Sequence, residues 1–170
     1  DAGAAQESLD LLAAQAKQRA DKAHPVHAAR RPQPGHAAAV PAPGQAQQQI
    51  EQLLAVDSAN RNYRTLHALT CVGLGQYVRA IEQYGDLLNG AAQPAEFHLS
   101  IAHAFKTMGR LAEAIAKYRA AAAARPGFGD AYWSLANLKT YRFEEGELEK
   151  MRAAEAADTT SVVDRYHLCF

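Results

Sequence analysis

The sequence predicts an all-α protein in which antiparallel helix pairs stack into a right-handed solenoid. Three observations predict this class. The 170-residue chain contains 38 alanines, and alanine loses no side-chain entropy in a helix. The chain resembles itself when it is shifted by 34 residues, which is a period typical of helical repeats. Finally, a glycine recurs where the first helix of a pair should end.

The first 44 residues differ in composition from the rest of the chain. Five of the seven prolines fall between Pro25 and Pro43, and few large apolar residues accompany them. Such a segment cannot bury enough surface to offset the loss of chain entropy, so residues 24–44 are expected to form a linker. Before it, Ser8–Lys22 has the spacing of a short amphipathic helix.

From Gln45 onward, helical spacing dominates and the repeat becomes visible. Two copies, at about 61–94 and 95–128, match at several positions, and a third at about 129–162 matches through its first helix. A second-helix segment at about 45–56 precedes them, and a truncated first helix is expected from Asp164. The equivalent pairs are Ala68 and Ala102, Gly75 and Gly109, Ala80 and Ala114, Ile81 and Ile115, Tyr84 and Tyr118, Ile101 and Leu135, His98 and Tyr132, and Ala102 and Ala136.

Each recurring residue type has a physical role in a helix pair. The small alanines allow two helices to approach closely, and the tyrosines supply the larger contact. Gly75 and Gly109 fit a left-handed cap at the end of a first helix, whereas Phe143 stands at the equivalent place in the third unit. Pro126 ends a second helix. A 34-residue helix–turn–helix of this pattern is the signature of the tetratricopeptide repeat (TPR).

The C-terminal half resembles a narrower family, the TPR segment of bacterial TPR–sulfotransferase fusion proteins. The resemblance covers roughly residues 50–170 and is most specific in the tract Trp-Ser-Leu-Ala-Asn-Leu-Lys-Thr. The residues that match the family pattern are Pro126 to Asp130, Tyr132 to Phe143, Met151, Arg152, and Asp164 to Phe170.

This resemblance implies a parent protein whose C-terminal domain transfers a sulfuryl group from phosphoadenosyl phosphosulfate (PAPS) to an acceptor hydroxyl. A sulfotransferase holds the donor phosphate with a strand, a loop and a helix N-terminus. The chain has no strand-like segment of this kind, and the sequence PGFG at 126–129 lacks a following Lys-Ser/Thr. We therefore expect no catalytic residues and no cofactor in this chain, and we expect the catalytic domain to lie outside it.

The expected function is a non-catalytic interaction module whose concave groove binds a peptide or a partner domain, possible partners including the parent's own sulfotransferase domain. Trp133 is the best single anchor for a ligand, because tryptophan offers a large contact area and a polar N–H. The alternative is that Trp133 packs between repeats. The predicted groove residues are Asn62, Thr65, Leu69, Leu99, His103, Lys106, Trp133, Asn137 and Tyr141, with Val72, Thr107 and Thr140 beside them.

Two other functions remain open at this point. The chain could contribute directly to acceptor binding in an active PAPS-dependent sulfotransferase, or it could be a free-standing adaptor or dimerisation domain. Deletion of residues 1–170 from the parent protein would abolish turnover of a small acceptor if the chain contributes to acceptor binding, and would leave turnover nearly intact otherwise. Some self-association is expected in any case, because the open ends of a solenoid expose apolar surface.

Composition excludes several classes of function. Eighteen basic and eighteen acidic side chains give a formal net charge of zero, which disfavours nucleic-acid and membrane partners. No apolar run could span a bilayer, so a cytoplasmic location is expected. The histidines at 24, 27 and 36 lie in the linker and are interpreted as solvated rather than as a metal site. Cys71 is interpreted as a small buried residue, although His67 lies four positions earlier.

A cluster of four glutamates in the third unit has a structural and a functional interpretation. It comprises Glu144, Glu145, Glu147 and Glu149. We expect it to open the second helix of the third unit, where negative charge complements the positive end of the helix dipole. The alternative is a docking surface for a basic partner domain.

Overall fold

A computed structural model describes residues 43–169, and within that range the chain consists of helices and short connections without any strand. The all-α class is therefore confirmed for this part of the chain. The predicted helix at Ser8–Lys22, the linker up to residue 42 and the three linker histidines lie outside the described residues.

The described part contains eight helices, several of which begin or end within two residues of the predicted positions. The first helix begins at Pro43 rather than Gln45, because proline fits the first position of a helix. The eight helices are α1 (Pro43–Val56), α2 (Arg61–Gly73), α3 (Tyr77–Leu88), α4 (Pro94–Thr107), α5 (Leu111–Ala124), α6 (Gly129–Ala136), α7 (Glu145–Ala156) and α8 (Val162–Leu168).

The chain divides into two compact units, and the boundary between Gln83 and Tyr84 falls within α3. In the first unit α1 packs against α2. Ile50 and Leu66 are buried at this contact, with partly buried apolar side chains around them. The Asn60 side chain begins α2 by accepting hydrogen bonds from two backbone N–H groups, those of residues 62 and 63, which are otherwise unpaired at a helix N-terminus.

In the second unit α4 packs extensively on α5, α5 on α6, and α8 on both α6 and α7. The residues at the centre of this unit are small or aromatic: Ala102, Ala114 and Tyr118 are all fully buried. Alanine at such positions lets helix backbones approach closely, and the tyrosine ring fills the space that remains. The repeating alanines at 68, 80, 102 and 114 and the two repeating tyrosines therefore lie in the core, while Ala136 is half-buried.

The first helices α2 and α4 end in the same way. Gly75 and Gly109 adopt positive φ angles of 75° and 76°, as predicted. The N–H of Gly75 bonds to the carbonyl of Val72, and the N–H of Gln76 bonds to the carbonyl of Cys71. The same pair of bonds follows Gly109. This is the Schellman arrangement, which satisfies the last carbonyls of a helix.

The third pair differs from the expected pattern. The prediction that Thr140 and Tyr141 belong to its first helix is wrong, because α6 ends at Ala136. The residue with a positive φ angle is Lys139, at 59°. Phe143 stands at the position equivalent to the two glycines, and a side chain with a β-carbon is strained in the left-handed conformation. In the structure Lys139 takes the left-handed conformation instead, three residues after the end of α6, and residues 137–144 form a connection.

The acidic cluster begins α7, as predicted. Glu144 is the N-cap residue, and its side chain and that of Glu147 form a reciprocal capping box. The Glu147 carboxylate accepts a hydrogen bond of 3.0 Å from the backbone N–H of Glu144. The last helix, α8, begins at Val162, two residues before the predicted start at Asp164. Ser161 caps it, because the Ser161 hydroxyl accepts a hydrogen bond from the backbone N–H of Asp164.

Candidate functional site

The predicted groove residues of the first unit all lie on α2. Asn62 is exposed, while Thr65 and Leu69 are half-buried. The Thr65 hydroxyl donates a 2.8 Å hydrogen bond to the backbone carbonyl of Arg61. Its proton is therefore already used within α2. This side of α2 offers the Asn62 amide and part of the Leu69 side chain to a ligand.

In the second unit, α6 packs on α8, and one side-chain contact joins α4 to α6. His103 Nε2 of α4 is 3.3 Å from Ser134 Oγ of α6. The rings of Trp133 on α6 and His167 on α8 have centroids 5.6 Å apart. The exposed and half-buried predicted groove residues on these helices, together with His167, are here called the α4–α6–α8 face. It comprises His103, Lys106, Trp133, Asn137 and His167.

Trp133 and His167 are separated by 34 residues, so the repeat in the sequence is also a contact in space. Trp133 is partly buried against His167 and partly open to solvent. The packing that was the alternative to ligand binding is therefore present, and the part of the ring that stays open keeps Trp133 a candidate for the groove. It packs between successive helices and also presents aromatic surface on the face.

Polar groups flank this aromatic surface. Lys106 is half-buried, and among residues 43–169 it forms no ion pair within 4.0 Å. Asn137 is exposed, and its amide donates a 3.0 Å hydrogen bond to the carbonyl of Trp133 at the end of α6. The Asn137 side-chain oxygen and the Lys106 ammonium group are the polar groups that the face can offer to a peptide backbone or to a side chain.

The contact between His103 and Ser134 was not predicted, since the two residues are 31 positions apart and only the fold brings them together. Ser134 is fully buried, and His103 packs edge-on against the Tyr118 ring at a centroid distance of 5.4 Å. A serine that no substrate can reach cannot act as a nucleophile. The pair therefore joins α4 to α6 and orients the imidazole.

Two predicted residues occupy positions different from those expected. Leu99 is only 9% exposed, and we therefore assign it to the core, where burial of an aliphatic side chain is favourable. Tyr141 lies outside α6, and its hydroxyl donates a 2.7 Å hydrogen bond to Glu147. Burial, assisted by that carboxylate, raises the pKa of Tyr141 well above its ordinary value. The carboxylate also pairs with Arg119 at 3.0 Å.

Ion pairs occupy the carboxylates near the N-terminal ends of these helices. Arg125 lies 3.5 Å from Asp164 and 3.8 Å from Glu96, and its guanidinium group stacks on the Phe128 ring at 3.6 Å. Asp164 also accepts a 3.1 Å hydrogen bond from the backbone N–H of Gly129. The single charge of Arg125 therefore offsets part of the charge of the two carboxylates, and the hydrogen bond from Gly129 attaches the start of α6 to α8.

A shallow depression of about 680 Å³ lies beside Arg125, between the turn before α6, α7 and the start of α8. The Thr160 hydroxyl in its wall donates to the carbonyl of Ala154, and the Ser161 hydroxyl donates to the Asp164 carboxylate at 2.8 Å. The hydroxyl groups of Thr160 and Ser161 are therefore already hydrogen-bonded within the chain.

The geometry of His67 and Cys71 does not resemble that of a catalytic pair. Both are buried in α2, and burial raises the pKa of the Cys71 thiol, which disfavours the reactive thiolate. Burial, followed by the charge of Arg79, lowers the pKa of His67, although Glu51 acts in the opposite sense. No hydrogen bond joins the two side chains. This is the environment of a buried structural cysteine.

The described part of the chain has no cluster of metal ligands and no helix that could cross a membrane. Between residues 43 and 169, no three His, Cys, Asp or Glu side chains are arranged to hold a metal ion. In the same range, every helix is too short or too polar to cross a bilayer.

The chain matches no protein-family model and no curated protein sequence. The predicted TPR repeat and the resemblance to sulfotransferase fusion proteins therefore depend on the residues of this chain alone.

Proposed function

We propose that this chain is a non-catalytic TPR module that binds an extended peptide across the α4–α6–α8 face. The recurring residues support the repeat assignment, because equivalent positions share equivalent environments. Tyr84 and Tyr118 are both buried, Ala80 and Ala114 are both fully buried, and the glycine caps have the same φ angle within 1°.

The contact between Trp133 and His167 is the observation that carries this proposal. It joins α6 to α8 at residues one repeat apart, and the contact of His103 with Ser134 joins α4 to α6. Successive first helices that lie side by side are what a repeat stack needs to form an elongated binding surface.

The chemistry of the face fits a peptide better than a small molecule. The aromatic surface of Trp133 can cover an apolar side chain. The Asn137 side-chain oxygen can accept a hydrogen bond from a backbone N–H, and the Lys106 ammonium group can donate to a backbone carbonyl or a carboxylate. These groups extend across an open face instead of converging in an enclosed pocket, which is the usual form of a small-molecule site.

We further propose that the module belongs to a sulfotransferase-family parent and helps to position the acceptor or the catalytic domain. The tract from Pro126 to Phe143 supports this parentage through its resemblance to the fusion proteins. PAPS would bind to the parent's catalytic domain. Cys71 and Cys169 are both free thiols, which fits the reducing environment of the cytoplasm.

The peptide-binding proposal can be tested by selecting peptides from a random display library on the immobilised chain and measuring their affinities. Replacing a central aromatic residue of an interface typically costs about 2 kcal/mol or more, or roughly 30-fold in affinity. We expect a loss of that order for Trp133→Ala, and a smaller loss for Lys106→Ala, whose side chain makes no ion pair with the described residues.

Glu82→Ala is the matched control, because Glu82 is exposed on α3 and lies outside the face. Melting curves of each variant separate loss of binding from loss of folding. If the selected peptides bound Trp133→Ala and Lys106→Ala as tightly as the unmodified chain, the binding site would lie elsewhere.

A further inference from the structure

A group of basic side chains lies at the C-terminal ends of α4 and α6. Lys106 is in the last turn of α4, and Lys139 and Arg142 are in the connection that follows α6. Lys139 and Arg142 are exposed, and Lys106 is half-buried. The Arg142 guanidinium group donates hydrogen bonds of 3.1 Å to the backbone carbonyls of Lys139 and Tyr141, which holds it close to Lys139. The three cations Lys106, Lys139 and Arg142 are here called the basic rim.

Two contacts indicate that α4 and α6 run in the same direction. Near the start of both helices, Arg125, which lies shortly before α6, is 3.8 Å from Glu96 in the first turn of α4. Further along both helices, His103 is 3.3 Å from Ser134. The helix ends that carry the basic rim therefore lie on the same side of this second contact, and the rim borders the α4–α6–α8 face at that end.

The cations of the basic rim form no ion pair with a carboxylate among residues 43–169. The carboxylates nearest to Arg142 along the chain, Glu144 and Glu147, pair instead with Arg119 of α5 at 3.6 and 3.0 Å. Arg110, which follows Lys106 by four positions, pairs with Glu113. Together with the basic rim, these residues comprise five basic and three acidic side chains, so positive charge is in excess at this end.

The acidic residues of the same helices lie at the opposite end. Glu96, Asp130 and Asp164 occupy the first turns of α4, α6 and α8. Glu96 precedes Lys106 by ten positions in one helix, and at about 1.5 Å per residue this separation is about 15 Å. Interactions between exposed charges are screened over about 8 Å at physiological salt. The carboxylates at the helix starts therefore cancel little of the attraction that the basic rim exerts on a nearby anion.

We propose that the peptide bound by the α4–α6–α8 face is acidic, with the carboxylates of at least two Asp or Glu side chains over the basic rim and an apolar side chain against Trp133. Carboxylates accept charge-assisted hydrogen bonds from ammonium and guanidinium groups, and these bonds are stronger than neutral ones. A basic peptide would bring like charges together at the rim, which is unfavourable. This inference rests on the proposed function and adds the charge of the ligand to it.

The overall charge of the chain does not favour acidic ligands. Its eighteen basic and eighteen acidic side chains give a formal net charge of zero, so the chain as a whole exerts no net long-range attraction on an anion. A preference for acidic peptides would therefore identify a local group of cations.

The test begins with peptides selected from a random display library on the immobilised chain. We expect the selected peptides to contain more Asp and Glu than the unselected library, beside a large apolar residue. Exposed ion pairs are individually weak and are screened by salt. The affinity of a selected peptide should therefore fall roughly ten-fold when the salt concentration is raised from about 50 to about 500 mM.

Reversing two charges of the basic rim gives the sharper measurement. Lys106→Glu combined with Lys139→Glu should weaken the binding of a selected peptide by roughly ten-fold or more, because attraction is replaced by repulsion. A peptide in which Lys replaces the acidic residues should bind this variant more tightly than it binds the unmodified chain. The matched control is Lys117→Glu combined with Lys150→Glu, on α5 and α7, which changes the net charge equally and should bind like the unmodified chain.

Two additions separate the remaining causes of a loss. Replacing Lys106 and Lys139 with glutamine removes both charges without adding new ones. This pair is the second variant in case the reversed one fails to fold, and melting curves identify that failure. Selected peptides synthesised with an amidated C-terminus distinguish side-chain carboxylates from a terminal carboxylate, and we expect them to bind as tightly as peptides with a free C-terminus.

Three results would overturn the proposal: selected peptides no richer in Asp and Glu than the library, equal binding of a selected peptide by the folded rim variants and the control, or loss of binding on amidation alone. If Trp133→Ala still abolished binding in these cases, the face would remain the binding site and only the acidic ligand would be wrong. If no peptide were selected, or if Trp133→Ala bound normally, the proposed function would fail together with this inference.

Discussion

Gly129 lies where the start of α6 meets the backbone of α8, and replacing it with alanine tests that close approach. A β-carbon at this position would overlap the carbonyl oxygen of Asp164 and would lie 2.8 Å from its carbonyl carbon and 2.9 Å from its Cα atom. These are backbone atoms, so no side-chain rotation can relieve the overlap. The two helices would have to separate.

The size of the effect follows from the distances. Carbon atoms in contact prefer separations of about 3.5–4.0 Å, so α6 and α8 must move apart by roughly 1 Å. Overpacking of this kind costs about 1–3 kcal/mol, and weakening the hydrogen bond from Gly129 N–H to Asp164 adds about 1 kcal/mol. The higher helix propensity of alanine offsets at most about 1 kcal/mol of this loss in the free energy of unfolding.

We therefore expect Gly129→Ala to lower the free energy of unfolding by about 1–3 kcal/mol. Urea unfolding followed by circular dichroism measures this quantity, and a shift of midpoint at unchanged slope identifies a change in stability. Gly146→Ala is the matched control. Gly146 is on α7 with no other atom within 4 Å of an added β-carbon, so this change should stabilise the chain by up to about 1 kcal/mol.

If Gly129→Ala were as stable as Gly146→Ala, the close approach of α6 and α8 would be refuted. The α4–α6–α8 face would then lose the contact that holds Trp133 against His167.

The remaining predictions concern the core and the response to pH. Ala114→Leu should lower the free energy of unfolding by about 1–3 kcal/mol through overpacking, whereas Ala116→Leu on the exposed side of the same helix should change it little; equal melting curves would contradict the predicted helix contact. Burial and Arg79 hold the pKa of His67 below its ordinary value of 6.5, so the unfolded chain binds more protons, and the folded chain should lose stability as the pH falls from about 7.5 to about 5. His67→Gln should reduce this dependence, and an unchanged slope would show that His67 does not contribute to it.

The sequence predicted much of the fold because its signals were local. Gly75 and Gly109 mark helix ends, since only glycine adopts a left-handed cap without strain, and both do so here. The acidic residues before α7 similarly identified its N-terminus. The third pair was predicted less well. The sequence shows Phe143 in place of glycine, but where the helix ends instead depends on how residues 137–144 pack against their neighbours.

The candidate site was predicted in part. Spacing along the helices placed Lys106, Trp133 and Asn137 on one surface, but Leu99 has the same repeat position as Trp133 and is nevertheless buried. Whether a residue at this repeat position is buried or partly open depends on the size of its side chain and on the neighbouring helices. The spacing of residues along the chain predicts neither the packing nor the exposure. His167 was missed because the first helix to which it belongs is short.

The sequence by itself determined that the described chain is helical, where several of its helices begin or end, and which residues recur, because propensity, capping and periodicity act within a few turns of the chain. Only the tertiary structure decided which recurring positions are covered. Tyr132 is buried and its equivalent Tyr166 is open, since burial depends on the helix that lies opposite and not on the residue itself. The contact of His103 with Ser134 and the close approach at Gly129 are likewise products of packing between segments distant in the chain.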